Sequence, residues 1–189
     1  MVQLLEPVKV ALLVGDVLDS LQVPWLVGGS VASSLHGIPR STHDVDLVAD
    51  LREFHVLSLA NSLSDRFLAD TDALLDAVSR RSCCNLIHLE TMTKVDIFVM
   101  RQDALAHREM ARRQFFVLEN GARMPLASAE DIVLQKLIWF HKGGRVSERQ
   151  WRDVLGVLQV SGSELDSVYL REMAQGEGLL DLLDEALAG

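Results

Sequence analysis

The chain has 189 residues, 49% hydrophobic and 24% charged, which suits one domain or a compact core carrying a helical appendage. Its formal net charge of −9, from 27 acids against 18 Lys and Arg, excludes a protein that holds nucleic acid through overall charge. No run of 18 apolar residues is present, which excludes a membrane-spanning helix on hydropathy. The two cysteines, Cys83 and Cys84, are adjacent and lack zinc-ligand spacing, so a reduced, buried or half-buried pair is expected. With no basic-then-apolar signal pattern at the N-terminus, a cytoplasmic protein follows.

In chain order, apolar residues at helical spacing predict a helix over 7–21, with Pro7 in its first turn. Pro24 resets the chain for a short apolar strand, Trp25 to Val27, and Gly28, Gly29 and Ser30 turn into a short helix that Gly37 ends after His36. A tight passage through Gly37, Pro39 and Arg40 leads to a second strand carrying Asp44 and Asp46. Residues 52–63 predict a helix with Phe54, Leu57, Leu59 and Leu63 facing inward, and 70–80 predict another. Two apolar runs, 85–90 and 94–100, predict a hairpin whose second strand holds Asp96 among Val95, Ile97 and Phe98. Residues 103–113 read as helix; with Arg101 they form a modest basic cluster (His107, Arg108, Arg112, Arg113), either a solvated face or a polyanion contact. A second hairpin, 114–118 with 122–126, turns at Glu119-Asn120-Gly121. The remainder is helical: 129–141 capped by Ser128 with Asp131 in the capping-box position, a helix from Ser147 to about Val160, then 163–174 and 179–188. The expected division is an α/β core over 1–126 and a helical part over 127–189 that closes a cleft.

Side chains two apart on a strand share a face, so Asp44 and Asp46 present two carboxylates together. They repel in a dry site unless a divalent cation such as Mg²⁺ lies between them. The Gly28-Gly29-Ser30 turn bares backbone N–H groups at a helix start, with a hydroxyl among them, which suits a phosphate. Asp96 inside a strand is costly unless paired or metal-bound, and makes a third carboxylate. Arg40 either clamps phosphate or pairs with an acid, and Thr42 lies on the approach to the metal strand. Lys136 falls on an apolar helix stripe between Ile132, Val133 and Phe140, so its ammonium either snorkels or meets an anion. Asp153 follows Arg149 by four and could pair with it. Trp139 and Trp151 fit helix packing better than base stacking.

The combination GGS, then R-x-T-x-D-x-D through Arg40, Thr42, Asp44 and Asp46, resembles the polymerase β-type nucleotidyltransferase superfamily. More narrowly it resembles the small bacterial branch that includes abortive-infection toxin nucleotidyltransferases. The resemblance implies an α/β fold, a small mixed sheet flanked by helices with a helical C-terminal part. It implies Mg²⁺-dependent transfer of a nucleoside monophosphate from an NTP, ATP among them, to a hydroxyl on protein, tRNA or a small molecule. Two ions, Mg²⁺ or Mn²⁺, would sit on Asp44, Asp46 and Asp96, with Gly28, Gly29, Ser30, Arg40 and Thr42 at the nucleotide. In the toxin-like branch, a lysine on one C-terminal helix and an aspartate on the next belong to the active site, and Lys136 and Asp153 match that arrangement. An antitoxin-like partner is a further expectation. The alternative is a catalytically idle nucleotide-binding or partner-binding subunit with the same fold. A Rossmann-type loop is set aside because Gly28 to Gly37 is not G-x-G-x-x-G.

Overall fold

The computed structural model describes residues 6–118 and 121–188. The chain divides into two compact units, one running to Val31 and resuming over Thr42–Leu126, the other comprising Ala32–Ser41 and the residues from Ala127 onward.

The first unit is built on one mixed sheet. Its strands are β1 (Trp25–Val27), β2 (Asp44–Ala49), β3 (Phe67–Leu68), β4 (Cys83–His88), β5 (Lys94–Val99), β6 (Gln114–Val117) and β7 (Arg123–Leu126), in the order β3-β4-β5-β2-β1-β7-β6. β2 runs parallel to β5 and β1 parallel to β7, while the other neighbouring pairs are antiparallel. In β2 and β5 burial alternates with period two: Val45, Leu47, Ala49, Val95, Ile97 and Val99 are all buried. The helix α1 (Glu6–Ser20) covers that face. Trp25 pairs in register with Ala49, and its indole N–H donates to Asp19 Oδ1 at 2.7 Å. The ring lies so close to Gly15 that a Cβ there would stand 2.2 Å from it, which is why α1 is Gly at its contact with β1. Helices α3 (Glu53–Leu63) and α4 (Thr71–Arg80) extend the layer, and α5 (Ala104–Arg112) precedes β6. The opposite sheet face carries Asp44, Asp46, Lys94 and Asp96.

The mixed sheet, its flanking helices and the helical C-terminal part agree with the expected architecture. Details differ. In α3, Phe54 and Leu57 are 78% and 64% exposed, because the stripe that fits the sheet is Val56, Leu59, Ala60 and Leu63, at i, i+3, i+4, i+7. β4 begins at Cys83 rather than at 85, and β3, two residues long, is too short to show a period. Helix α4 starts at Thr71, with the Asp70 carboxylate accepting from the Asp72 and Ala73 amides. The β6–β7 hairpin is paired from Gln114↔Leu126 to Val117↔Arg123, and Gly121 takes φ +79°; Glu119 and Asn120 lie outside the described residues.

The second unit holds α6 (Ala129–Lys142), α7 (Glu148–Ser161), α8 (Ser167–Gly176) and α9 (Leu180–Ala188), with α6 packed on α7 and α8, and α9 on α7 and α8. Ser128 caps α6, accepting from the Asp131 amide at 3.2 Å. Asp131 is buried at 2% exposure, and its carboxylate accepts from Ser128 Oγ (2.8 Å) and Tyr169 Oη (2.6 Å), which ties α8 to α6. α8 starts at Ser167, later than the spacing suggests, because Asp166 caps it through the Tyr169 amide. Segment Ala32–Ser41 belongs with these helices. Gly37 meets the backbone of α7 so closely that a Cβ would lie 2.7 Å from Val157 N and 2.8 Å from Gly156 C. Ser161 Oγ donates to His36 O at 2.7 Å, and the His36 ring bonds Ala127 O at 2.8 Å.

Candidate active site

Asp46 and Asp96 are direct neighbours across the parallel β2–β5 ladder, and Asp44 stands opposite Lys94 two residues earlier. All four therefore share one sheet face. Asp96 Oδ2 takes the Lys94 ammonium at 2.8 Å, while Asp96 Oδ1 is buried without a hydrogen-bond partner. A buried carboxylate oxygen left in that state is expensive, and it marks a place where a cation fits. Among the described residues no group of three His, Cys, Asp or Glu is drawn together tightly enough to cage a metal as it stands. The physical reason lies in the partners: Asp96 turns to Lys94, Asp46 turns to the start of a helix, and Asp44 is exposed.

That helix is α2 (Gly29–His36), whose first residues belong to the sheet unit. Gly28 does not offer its amide to a ligand here, since it extends the β1–β2 ladder by donating to Asp46 O at 2.9 Å. Gly29 has φ +54°, and a Cβ on it would fall 1.7 Å from Asp46 Oδ2. The Ser30 amide donates to that same oxygen at 3.4 Å, a long bond. The anion at the α2 N-terminus is thus the Asp46 carboxylate. Gly29→Ala is expected to push Asp46 off this position and to strain the turn, costing roughly 1–3 kcal/mol in urea unfolding. A stability within error of wild type would show that the turn relaxes freely.

Within the helical unit the charged centre is Asp153, 7% exposed at its side chain. Arg40 grips it with two bonds, Nε to Oδ1 at 2.9 Å and Nη2 to Oδ2 at 3.1 Å, and Lys136 Nζ reaches Oδ2 at 2.8 Å. Arg40 thus pairs with an acid, and Asp153 takes Arg40 and Lys136 rather than Arg149. Lys136 is buried at 4% exposure, as its apolar stripe predicts, and its anion is Asp153. Burial pushes the Asp153 carboxyl up, but hydrogen bonds from Arg40 and then Lys136 outweigh it and hold the group below the ordinary carboxylate range. Thr42 has a local role: its hydroxyl donates to Asp44 O at 3.1 Å, fixing the entry to β2.

The sequence reading did not place Lys94, Asn85 or Cys83 on the aspartate face. Alternation from Asp96 would have placed Lys94, while Asn85 and Cys83 pair in register with Asp96 and Phe98. Cys83 lies close to the acids. Desolvation, followed by the charges of Asp96 and Asp46, pushes its thiol up to about 11. Trp139 is 52% exposed, whereas Trp151 packs on Phe140 with ring centres 5.1 Å apart. In the basic cluster, Arg101 pairs with Asp103 at 2.8 Å.

Neither a family model nor a curated protein matches the sequence. Solved structures do match. The chain is similar to an antigenic nucleotidyltransferase-like protein from Paracoccidioides brasiliensis, with a TM-score of 0.55 and 21% identity over 96% of this chain and 91% of that one. It is similar to the lincomycin-bound lincosamide antibiotic adenylyltransferase LnuA, with a TM-score of 0.53 and 15% identity over 80% and 96% of the two chains. The solution structure of the antibiotic-resistance factor ANT(2'')-Ia gives a TM-score of 0.53 and 15% identity over 95% and 97%.

Proposed function

We propose that this chain, which has the fold of the polymerase β-type nucleotidyltransferases, transfers a nucleoside monophosphate from an NTP to a hydroxyl. The observation that carries the reading is the side-by-side placement of Asp46 and Asp96, with a buried Asp96 oxygen that no described group satisfies, beside the Gly29–Ser30 helix start. Asp46 and Asp96, joined by the exposed Asp44, would hold Mg²⁺ or Mn²⁺. Such cations supply Lewis-acid polarisation of the α-phosphate and neutralise charge on the triphosphate.

The chain's own residues do the rest. Ser30 and the start of α2 bind phosphate oxygens once Asp46 has turned away from them. An Asp96 oxygen accepts the proton of the attacking hydroxyl. The acceptor oxygen forms its bond to the α-phosphorus, the bond from that phosphorus to the bridging oxygen breaks, and pyrophosphate leaves. The Lys136–Asp153–Arg40 group is the second charged element, and the family likeness implies an active-site role for Lys136 and Asp153.

The test is transfer of label from α-labelled NTPs in Mg²⁺ or Mn²⁺, with protein, tRNA and small-molecule acceptors. Lincomycin belongs in that panel because one similar structure holds it. Expected are pyrophosphate release and a labelled acceptor, both abolished by chelation. Nucleotide binding with no pyrophosphate release for any acceptor would favour the idle subunit. Lys136→Met should leave the chain folded, because Asp153 keeps both Arg40 bonds; a role of its ammonium at a triphosphate predicts nucleotide affinity or turnover lower by at least about tenfold, the worth of one charge-assisted contact to phosphate. Turnover equal to wild type would remove Lys136 from the active site.

A further inference from the structure

We propose that Lys94 is the resident counter-ion of the carboxylate face, and that a divalent cation binds by exchange, displacing its ammonium from Asp96. The inference rests on the reading of Asp46 and Asp96 as cation ligands. Lys94 precedes Asp96 by two on β5, so both side chains leave the same face of the sheet. Its Nζ lies 2.8 Å from Asp96 Oδ2. Across the ladder Lys94 faces Asp44, and Asp96 faces Asp46. The ammonium is thus bracketed by an aspartate on its own strand and one on the next.

Asp96 bonds the Lys94 ammonium on its own strand and Asp44 faces Lys94 across the ladder, so two of the proposed ligands meet one lysine. Yet a single ammonium meets only one side of the need. Asp96 Oδ1 stays buried and without a hydrogen-bond partner. A divalent cation carries twice the charge of an ammonium and draws several carboxylate oxygens to itself. Lys94 can also leave cheaply: its side chain is 37% exposed, so the ammonium swings into water on its flexible stem.

Two consequences separate this role from a surface ion pair. The lysine competes with the metal, so its removal strengthens metal binding. It also relieves repulsion in the metal-free protein, so its removal lowers the melting temperature without metal. The experiment titrates the full chain with Mn²⁺ in the absence of nucleotide, reading free Mn²⁺ by electron paramagnetic resonance. Lys94→Met is expected to bind Mn²⁺ about tenfold more tightly than wild type, as when one competing charge-assisted contact is lost. In the wild-type chain, acetylation of Lys94 followed by peptide mass spectrometry is expected to speed up several-fold on saturation with Mn²⁺, because exchange releases the amine. This second readout decides the matter should Lys94→Met fail to fold. Mn²⁺ binding by Lys94→Met equal to or weaker than wild type, or acetylation indifferent to Mn²⁺, overturns the exchange. If wild type itself leaves Mn²⁺ unbound, the exchange and the ligand reading fall together. Wild-type binding that Asp46→Asn abolishes and Lys94→Met leaves unchanged overturns the exchange alone.

Discussion

Asp153→Asn is expected to destabilise the protein by about 3–5 kcal/mol at neutral pH, the usual cost of removing one partner from a buried ion pair. The side chains of Asp153 and Lys136 are 7% and 6% exposed, so the ammonium has no water to turn to when its carboxylate becomes an amide. Arg40, which donates two parallel bonds, loses the charge its fork is matched to. The pH dependence follows from the direction of the shift. The folded Asp153 carboxyl titrates below the ordinary range, so its contribution is present above the unfolded value and is lost as pH falls through the folded one. Wild type and Asp153→Asn should therefore differ most in urea unfolding near neutrality and converge in acid below about pH 4. A difference under about 1 kcal/mol at neutral pH would mean that the pair contributes no more than an exposed one.

Asp46→Asn is expected to abolish transfer while leaving the fold almost untouched. Cations at such a site stabilise the transition state by several kcal/mol, so losing a ligand should lower the rate by at least about 10³-fold. Asparagine has nearly the same shape, and the close approach of Gly29 to the Asp46 carboxylate leaves room for that shape and nothing larger. Removing one negative charge from a face that holds three aspartates also relieves repulsion, so the metal-free stability should change by less than about 1 kcal/mol. Mg²⁺ with nucleotide should raise the melting temperature of wild type and not of the variant. A large loss of metal-free stability would instead make Asp46 a structural hub through its contact with the start of α2.

The aspartates, the glycine turn and most helices were legible because each is written in residues adjacent in sequence or one helical turn apart. The D-x-D spacing sets Asp44 and Asp46 on one face whatever the rest of the chain does. Asp96 needed more, since its place beside Asp46 depends on β2–β5 register, which no local pattern encodes. The burial of Lys136 followed from its helical stripe, but its partner did not: Asp153 was only one of the anions that could meet it, and Arg40 reaches Asp153 from 113 residues away. Phe54 and Leu57 misled because hydrophobicity alone does not choose between two stripes of one helix. Lys94 was overlooked for a simpler reason. A lysine at the mouth of a strand is ordinary at a solvated end, and only the pairing shows what it faces.

The parallel pairing of β2 with β5 also bears on when the site comes into being. β4 and β5 are neighbours in sequence and can zip locally, whereas β2 meets β5 only after residues 50–93 have been folded into a crossover. Closing a loop of that size costs entropy before any contact repays it, and non-local parallel pairing is intrinsically slow. A refolding chain should therefore regain the β4–β5 hairpin before it can bind Mn²⁺. During synthesis the chemistry stays withheld until the chain has emerged through Val99. Topology keeps Asp96 apart from Asp44 and Asp46 in the nascent protein until β5 has paired with β2.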